Sequence, residues 1–117
     1  MVPEPVSDRL KKSLKKINNL ITIFPSNVYL IETKADILYF ADTNGCLDPS
    51  KAFNLVKRFA EIIDIPIGVH MHNNQGLAYA NTLQSIQGGA TYLDSTFSGI
   101  GRGPGNTQTE YLLMEIQ

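Results

Sequence analysis

Apolar residues in the second part of the chain form two kinds of pattern, short continuous runs and longer stretches with helical spacing. The runs 35–41, 67–70 and 91–94 have the length of strands that are buried on both faces. Between them, one stretch places apolar residues on a single helical face, namely Ala52, Leu55, Val56, Phe59, Ala60 and Ile63. A second helix is predicted at 77–87 and a third near the end. This alternation predicts an α/β fold with parallel strands.

The helix boundaries have their own sequence signals. Asp48 and Pro49 are a favoured N-cap and first helical residue, and Gly88-Gly89 follows the second helix as a typical stop. The run Thr107–Glu110 reads Thr-x-x-Glu, the pattern of a capping box. We therefore predict that Thr107 caps the last helix.

The N-terminal third follows a different pattern. Residues 8–18 are spaced as an amphipathic helix with five basic residues, and 28–31 is a short apolar run. Only a few residues separate 28–31 from 35–41, whereas parallel strands need a crossover of about a dozen or more. We interpret 1–34 as a helix followed by an irregular or abbreviated segment, and 35–117 as a separate unit. A solvated basic face is favoured over contact with a membrane surface or RNA.

Composition and charge limit the cellular compartment and the partners that we expect for this chain. The chain has 117 residues, a net charge of −1 and one cysteine, Cys46, so neither an internal disulfide nor a general attraction to nucleic acid is expected. The start lacks the order of a secretory signal, and the longest apolar stretch, 20–31, is too short for the roughly 20 residues of a membrane span. These features predict a cytoplasmic protein without membrane segments.

The segment His70-Met71-His72 contains both histidines of the chain at the end of a predicted strand. Residues two apart on a strand point the same way and are separated by about 6.6 Å, so both imidazoles can reach one ion. Met71 then faces the protein interior. Such a pair alone is a weak signal, because a structural or solvent-exposed pair has the same pattern.

Polar residues at neighbouring strand ends strengthen the prediction of a site. Asp42 ends the preceding strand, Asn73 and Asn74 follow the histidines, and Asn106 closes the loop after the next strand. Imidazoles with amide or carboxylate oxygens suit Mg²⁺, Mn²⁺, Co²⁺ or Zn²⁺ in an open site rather than a closed structural zinc site. Asp42 has an alternative role as the cap of its own turn.

The glycine-rich loop 98–106 matches neither a dinucleotide fingerprint nor a phosphate-binding Gly-Lys-Ser/Thr motif. Its backbone N–H groups and Arg102 lie beside a predicted helix start, where a carboxylate or phosphate would be stabilised. The alternative is a connecting loop in which Arg102 is merely solvated. Cys46 has no histidine left to activate it if both bind metal, so a nucleophilic cysteine is not expected.

Several ordered motifs from residue 35 onward resemble one enzyme superfamily. They are Ala41–Gly45 with Pro49, Val69–Asn73, Ala80–Thr82, Gly88–Ala90, Asp94, and Gly99–Asn106 followed by Thr109-Glu110. Together they resemble the C-terminal half of the pyruvate carboxyltransferase or hydroxymethylglutaryl-CoA lyase-like superfamily. The resemblance implies a partial (β/α) TIM barrel, comprising about its last three to four strand–helix units, because a complete barrel needs roughly 200 residues or more.

The resemblance also implies a chemistry. His70 and His72 would be metal ligands and Asn106 a ligand or near-ligand, while Asp42, Thr43 and Arg102 become candidate catalytic residues. The divalent ion would stabilise an enolate while a carbon–carbon bond beside a 2-oxo acid or acyl-CoA group is made or broken. The expected activity is that of an aldolase, lyase or Claisen-type synthase, with a 2-oxo acid or acyl-CoA substrate.

Two departures from the superfamily pattern matter. The Arg-Asp-Gly of the first barrel strand, which supplies a carboxylate ligand and a catalytic arginine, has no counterpart in this chain. The lyase branch's loop cysteine is also absent from 101–104, which favours an aldolase-like or synthase-like member. Two hypotheses follow. The first is an enzyme part whose missing half-barrel comes from a homodimer, another chain or a longer natural protein. The second is a non-catalytic relic or metal-binding module that folds by pairing its sheet edges in a homodimer.

Overall fold

A computed structural model of the chain describes residues 36–117. It contains three strands, each followed by a helix: β1 (Leu38–Ala41), α1 (Pro49–Ala60), β2 (Ile67–His70), α2 (Ala78–Gly88), β3 (Tyr92–Leu93) and α3 (Thr109–Glu115). The strands form one sheet in the order β1-β2-β3, and both pairings are parallel. The predicted α/β class and strand–helix order are confirmed. The predictions for 1–34 lie outside the described residues.

The register divides the sheet into two faces. Leu38 pairs with Ile67 and Phe40 with Val69, and these four side chains are buried. They face the helices and form the core with residues from α1, α2 and the adjoining loops, namely Leu47, Ala52, Leu55, Val56, Phe59, Met71, Ala78 and Ala90. Because side chains alternate along a strand, the residues between them lie on the opposite, inner face.

Helix α1 follows the sequence prediction closely. The Asp48 side chain accepts a hydrogen bond from the Lys51 backbone N–H at 2.8 Å, and Pro49 is the first helical residue. The Phe59 ring packs edge-on against Phe40 at a centroid distance of 4.7 Å. Ala60, predicted on the buried face, is exposed because the helix ends there.

Asp48→Ala should lower the free energy of unfolding by about 1 kcal/mol, because one N–H of the first turn loses its acceptor. The Lys51 N–H also holds the pKa of Asp48 below its usual range, so the stabilisation is present above the ordinary carboxyl pKa and is lost as the pH falls through the lowered one. Urea unfolding at neutral and acidic pH measures both effects.

Lys51→Gln is the control, since it removes the exposed ion pair of 3.2 Å and leaves the cap intact. We expect a change of no more than about 0.5 kcal/mol for this variant. An equal loss in both variants would show that the ion pair, and not the cap, stabilises the helix.

Of the predictions for α2 and α3, one is confirmed and one is wrong. Helix α2 ends as predicted, with Gly89 in the left-handed conformation at φ 117°. The capping box is wrong, because α3 begins at Thr109 with Gln108 as its N-cap. The Thr107 hydroxyl instead lies 2.8 Å from that of Thr82 in the interior, and Glu110 accepts hydrogen bonds of 2.8 and 3.0 Å from the Ser98 N–H. Thr107 therefore joins the last loop to α2.

The loops that follow the strands meet at the carboxyl edge of the sheet. Asp42 N–H donates to the His70 carbonyl at 3.0 Å, and the Asn73 N–H donates to the Gly105 carbonyl at 2.8 Å. Parallel folds of this kind carry their sites on that edge. Within residues 36–117 no helix is long and apolar enough to cross a membrane.

Candidate metal centre

The two histidines converge as the strand alternation predicts. His70 Nε2 and His72 Nε2 lie 3.1 Å apart, and the two rings are tilted by 59°. Met71 between them is 1% exposed and packs in the core. Alternation along the extended chain thus directs two imidazole nitrogens to one point above the inner face.

The Asp94 carboxylate contacts the Nδ1 atom of His70. Its Oδ2 atom lies 3.0 Å from His70 Nδ1, and the Asp94 backbone N–H donates to the Val69 carbonyl. A carboxylate at Nδ1 favours the tautomer with the proton on that atom. The lone pair of His70 Nε2 then points toward His72, which is the arrangement that a metal ligand requires.

Asn106 reaches the histidines because its backbone forms an isolated antiparallel bridge with His72. Its Nδ2 atom lies 3.3 Å from His70 Nε2 and 3.4 Å from the Met71 carbonyl oxygen. The amide nitrogen therefore faces His70 in this structure. A metal would be bound through the amide oxygen, which requires a half-turn of the side-chain amide.

Asp42 is 7% exposed and caps the turn that follows β1. Its two oxygens accept hydrogen bonds of 2.9 Å from the N–H groups of Cys46 and Leu47. The turn-capping alternative is therefore what the geometry shows. The carboxylate also lies near enough to His72 for its charge to act on the pKa of that ring. Thr43, in the same turn, is half-buried.

The glycine loop brings Asn106 to the site by close backbone approach. A Cβ atom on Gly101 would overlap the Asn106 amide oxygen, and one on Gly105 would overlap the Gly99 carbonyl. Gly105 also has φ +94°, a conformation that side chains other than glycine rarely adopt. The loop contains no nucleotide-binding motif, and its glycines serve this tight packing.

His72 lies in an environment that disfavours its charged form. Burial lowers the pKa of His72, and the nearby His70 and Arg102 lower it further, whereas Asp42 acts in the opposite direction. Arg102 is exposed, and its positive charge is near enough to His72 to act on the pKa of that ring. A neutral imidazole is the form that binds metal.

The donor set fits a divalent ion in part. Two nitrogens bound at about 2.1 Å on adjacent octahedral positions are about 3.0 Å apart, close to the separation of the histidine Nε2 atoms. Among residues 36–117, however, no three His, Cys, Asp or Glu side chains are placed to hold a metal together. The described residues thus provide two imidazoles and an amide, and a complete site needs a further oxygen ligand.

Two residues that support the histidines carry little or no signal in the sequence. Asp94 stands at the end of a strand, a position that is compatible both with hydrogen bonding in the barrel mouth and with ligand contact. Tyr39, whose hydroxyl pKa is raised by Asp94, belongs to no motif. Its only signal is its position on the inner face, across the sheet from Gly68.

Comparison with known proteins gives a consistent family relationship. The HMGL-like family model matches residues 10–117. The 4-hydroxy-2-oxovalerate aldolase of Geobacillus genomosp. 3 is 46% identical over 79 residues, which are 68% of this chain and 23% of that protein. The chain thus spans about a quarter of the length of the curated relatives that it matches.

Solved structures give the same relationship. An HMG-CoA lyase from Acenitobacter baumannii, in complex with coenzyme A and 3-methylmalate, superposes with a TM-score of 0.58 at 30% identity, covering 64% of this chain and 27% of that one. The carboxyl transferase domain of Rhizobium etli pyruvate carboxylase superposes with a TM-score of 0.69 at 24% identity, covering 95% of this chain and 18% of that one. The second likeness supports the partial TIM-barrel fold.

Proposed function

Since the chain belongs to the HMGL-like family of aldolases, lyases and synthases, we propose that it is the metal-binding part of such an enzyme. The reaction would make or break a carbon–carbon bond beside a 2-oxo acid or acyl-CoA group. The observation that carries the proposal is the 3.1 Å approach of His70 Nε2 and His72 Nε2, with Asp94 behind the first ring.

His70 and His72 would hold the divalent ion, which we propose to be Mn²⁺, Mg²⁺, Co²⁺ or Zn²⁺, and Asn106 would complete the described ligand set after its amide turns. The ion would supply Lewis acidity toward the 2-oxo or acyl oxygen of the substrate. Asp94 keeps the proton of His70 on Nδ1. Asp42, held by two backbone N–H groups, contributes a fixed negative charge that favours a cation at the histidines.

The positive charge of Arg102 suits it to bind the carboxylate of a 2-oxo acid or a phosphate of coenzyme A. Its charge acts on His72, and an open cavity of about 330 Å³ lies next to His70, lined by His70, Leu93, Asp94, Ser95, Thr96 and Asn106. We assign Thr43, the residue after Asp42, to contact with the substrate. Support for a 2-oxo substrate comes from the aldolase relatives, and for a coenzyme A ester from the lyase.

We also propose that catalysis requires a complementary half-barrel, supplied by a second copy or another chain. The inner sheet face supports this, because Tyr92 on it is 44% exposed and would be enclosed in a closed barrel. Another chain of different sequence could supply the first-strand Arg-Asp motif, whereas a second copy could not. Among residues 36–117 no third His, Cys, Asp or Glu side chain is placed to hold the ion, which favours the alternative, a metal-binding module without turnover. A cytoplasmic setting without nucleic-acid partners is part of the proposal.

The decisive test joins metal binding to catalysis in one preparation. The 117-residue chain is titrated calorimetrically with Mn²⁺, Mg²⁺, Co²⁺ and Zn²⁺, and aldol turnover of pyruvate with a short aldehyde and cleavage of an acyl-CoA are then measured. We expect one ion per chain. Turnover of either substrate would show that the chain is active alone or as a homodimer. An ion without turnover would support an incomplete half-barrel that needs another chain, or the metal-binding module, and a chain that binds no ion would refute the proposal.

A further inference from the structure

Tyr39 occupies a position from which its ring crosses the sheet. It lies on the inner face of β1, and its register partner on β2 is Gly68. A Cβ atom on Gly68 would clash with the Tyr39 ring, so the ring covers this glycine and no larger residue fits beneath it. The ring atoms nearest to that position are Cζ and the two Cε atoms, so the hydroxyl end of Tyr39 lies over β2, whose Gly68 pairs with Tyr92 of β3.

The Asp94 carboxylate acts on the hydroxyl of Tyr39. Burial raises the pKa of the Tyr39 hydroxyl, and the neighbouring Asp94 carboxylate raises it further. A hydroxyl that stays protonated can face a carboxylate only as a donor. Groups on two different strands thus act on Asp94, namely the Tyr39 hydroxyl and His70 Nδ1.

We propose that Tyr39 is a positioning residue that orients Asp94, and through it His70, for metal binding. The inference rests on the proposed function, because it concerns the same histidine. The Asp94 side chain is 46% exposed, so a single bond to His70 would leave the carboxylate free to turn toward water. A second donor from a ring packed on the sheet restricts that rotation.

The same geometry assigns a role to Gly68. A side chain there would push the Tyr39 ring away from β2 and break the connection to Asp94. The three residues Gly68, Tyr39 and Asp94 thus form one support behind His70. Residues that hydrogen-bond to a metal-binding histidine without touching the metal generally influence metal affinity, because they set the tautomer and the orientation of the imidazole ring.

The test compares Tyr39→Phe with Tyr92→Phe, two variants that each remove one hydroxyl from the inner face. Tyr39→Phe should weaken the binding of the ion found for the unmodified chain roughly fivefold, the equilibrium equivalent of about one hydrogen bond. Tyr92→Phe should leave the affinity unchanged. Thermal unfolding of the metal-free variants reports whether either substitution disturbs the fold.

Two further measurements separate positioning from general packing. Long-range ¹H–¹⁵N spectra of the metal-free chain report the tautomer of His70, and we expect less of the Nδ1–H form in Tyr39→Phe. In a double-mutant cycle for metal affinity, Tyr39→Phe should have no additional effect once Asp94→Ala is present, because that variant removes the acceptor through which both residues act.

The outcomes distinguish this inference from the proposed function. If the unmodified chain binds metal and Tyr39→Phe binds it equally well with an unchanged tautomer, the positioning role is refuted while the metal site stands. Additive effects of Tyr39→Phe and Asp94→Ala would refute it as well. A chain that binds no metal but loses the Nδ1–H form in Tyr39→Phe would refute the metal site and retain the link between Tyr39, Asp94 and His70.

Discussion

Replacing His70 and His72 together with alanine should abolish specific binding of a divalent ion. Losing an outer-shell partner of a ligand typically costs about 10- to 100-fold in affinity, and losing two ligands should exceed the upper end of that range. The two Nε2 atoms lie 3.1 Å apart, so each substitution removes one of two converging donors. Calorimetric titration and elemental analysis after dialysis measure the loss.

Met71→Leu is the matched control, because this residue lies between the histidines and faces the core. A volume-conserving change there should leave metal binding intact and cost less than about 1.5 kcal/mol in stability. If the double alanine variant kept the affinity of the unmodified chain, the ion would be bound elsewhere and the proposed centre would be wrong.

Phe59→Ala should have the largest effect on stability, about 3–5 kcal/mol. The Phe59 side chain is 1% exposed and packs against Phe40 on β1, so its removal leaves a cavity between α1 and the sheet. Domains have only about 5–15 kcal/mol of stability in total, so the variant should be largely unfolded at moderate temperature. Urea unfolding followed by circular dichroism measures the change.

Phe53→Ala provides the comparison on the same helix. Phe53 is half-buried, and its ring lies 5.6 Å from the Lys57 ammonium, near the outer side of the core. We expect it to lose clearly less stability than Phe59→Ala, since less apolar surface returns to water. Equal losses in both variants would contradict the core that the structure places between α1 and the sheet.

Local patterns determined most of the elements. The continuous apolar runs predicted the three strands, although β1 and β3 are shorter than expected because pairing, and not hydrophobicity, sets their ends. The alternation of His70, Met71 and His72 determined that two imidazoles face one side, since strand geometry leaves no other arrangement for residues two apart. The start of α1 at Asp48 and Pro49 was likewise determined by neighbouring residues.

The structure of the loops depends on contacts between residues that are far apart in the sequence. Thr107 and Glu110 have the spacing of a capping box, yet Thr107 pairs with Thr82 in the interior and Glu110 binds the Ser98 N–H. A hydroxyl or carboxylate takes whichever partner the packing of distant segments brings to it. Motif spacing therefore failed where the last loop packs against α2 and where Glu110 contacts Ser98.

The sequence by itself determined the parallel α/β architecture, the direction of both histidines and the family resemblance. Only the tertiary structure decided that Asp94 holds His70, that the amide nitrogen of Asn106 faces it, and that Tyr39 crosses the sheet over Gly68. The physical reason is distance along the chain. Periodicity acts within a few residues, whereas these contacts join residues 24 to 36 positions apart or on different strands, and strand register and loop packing bring them together.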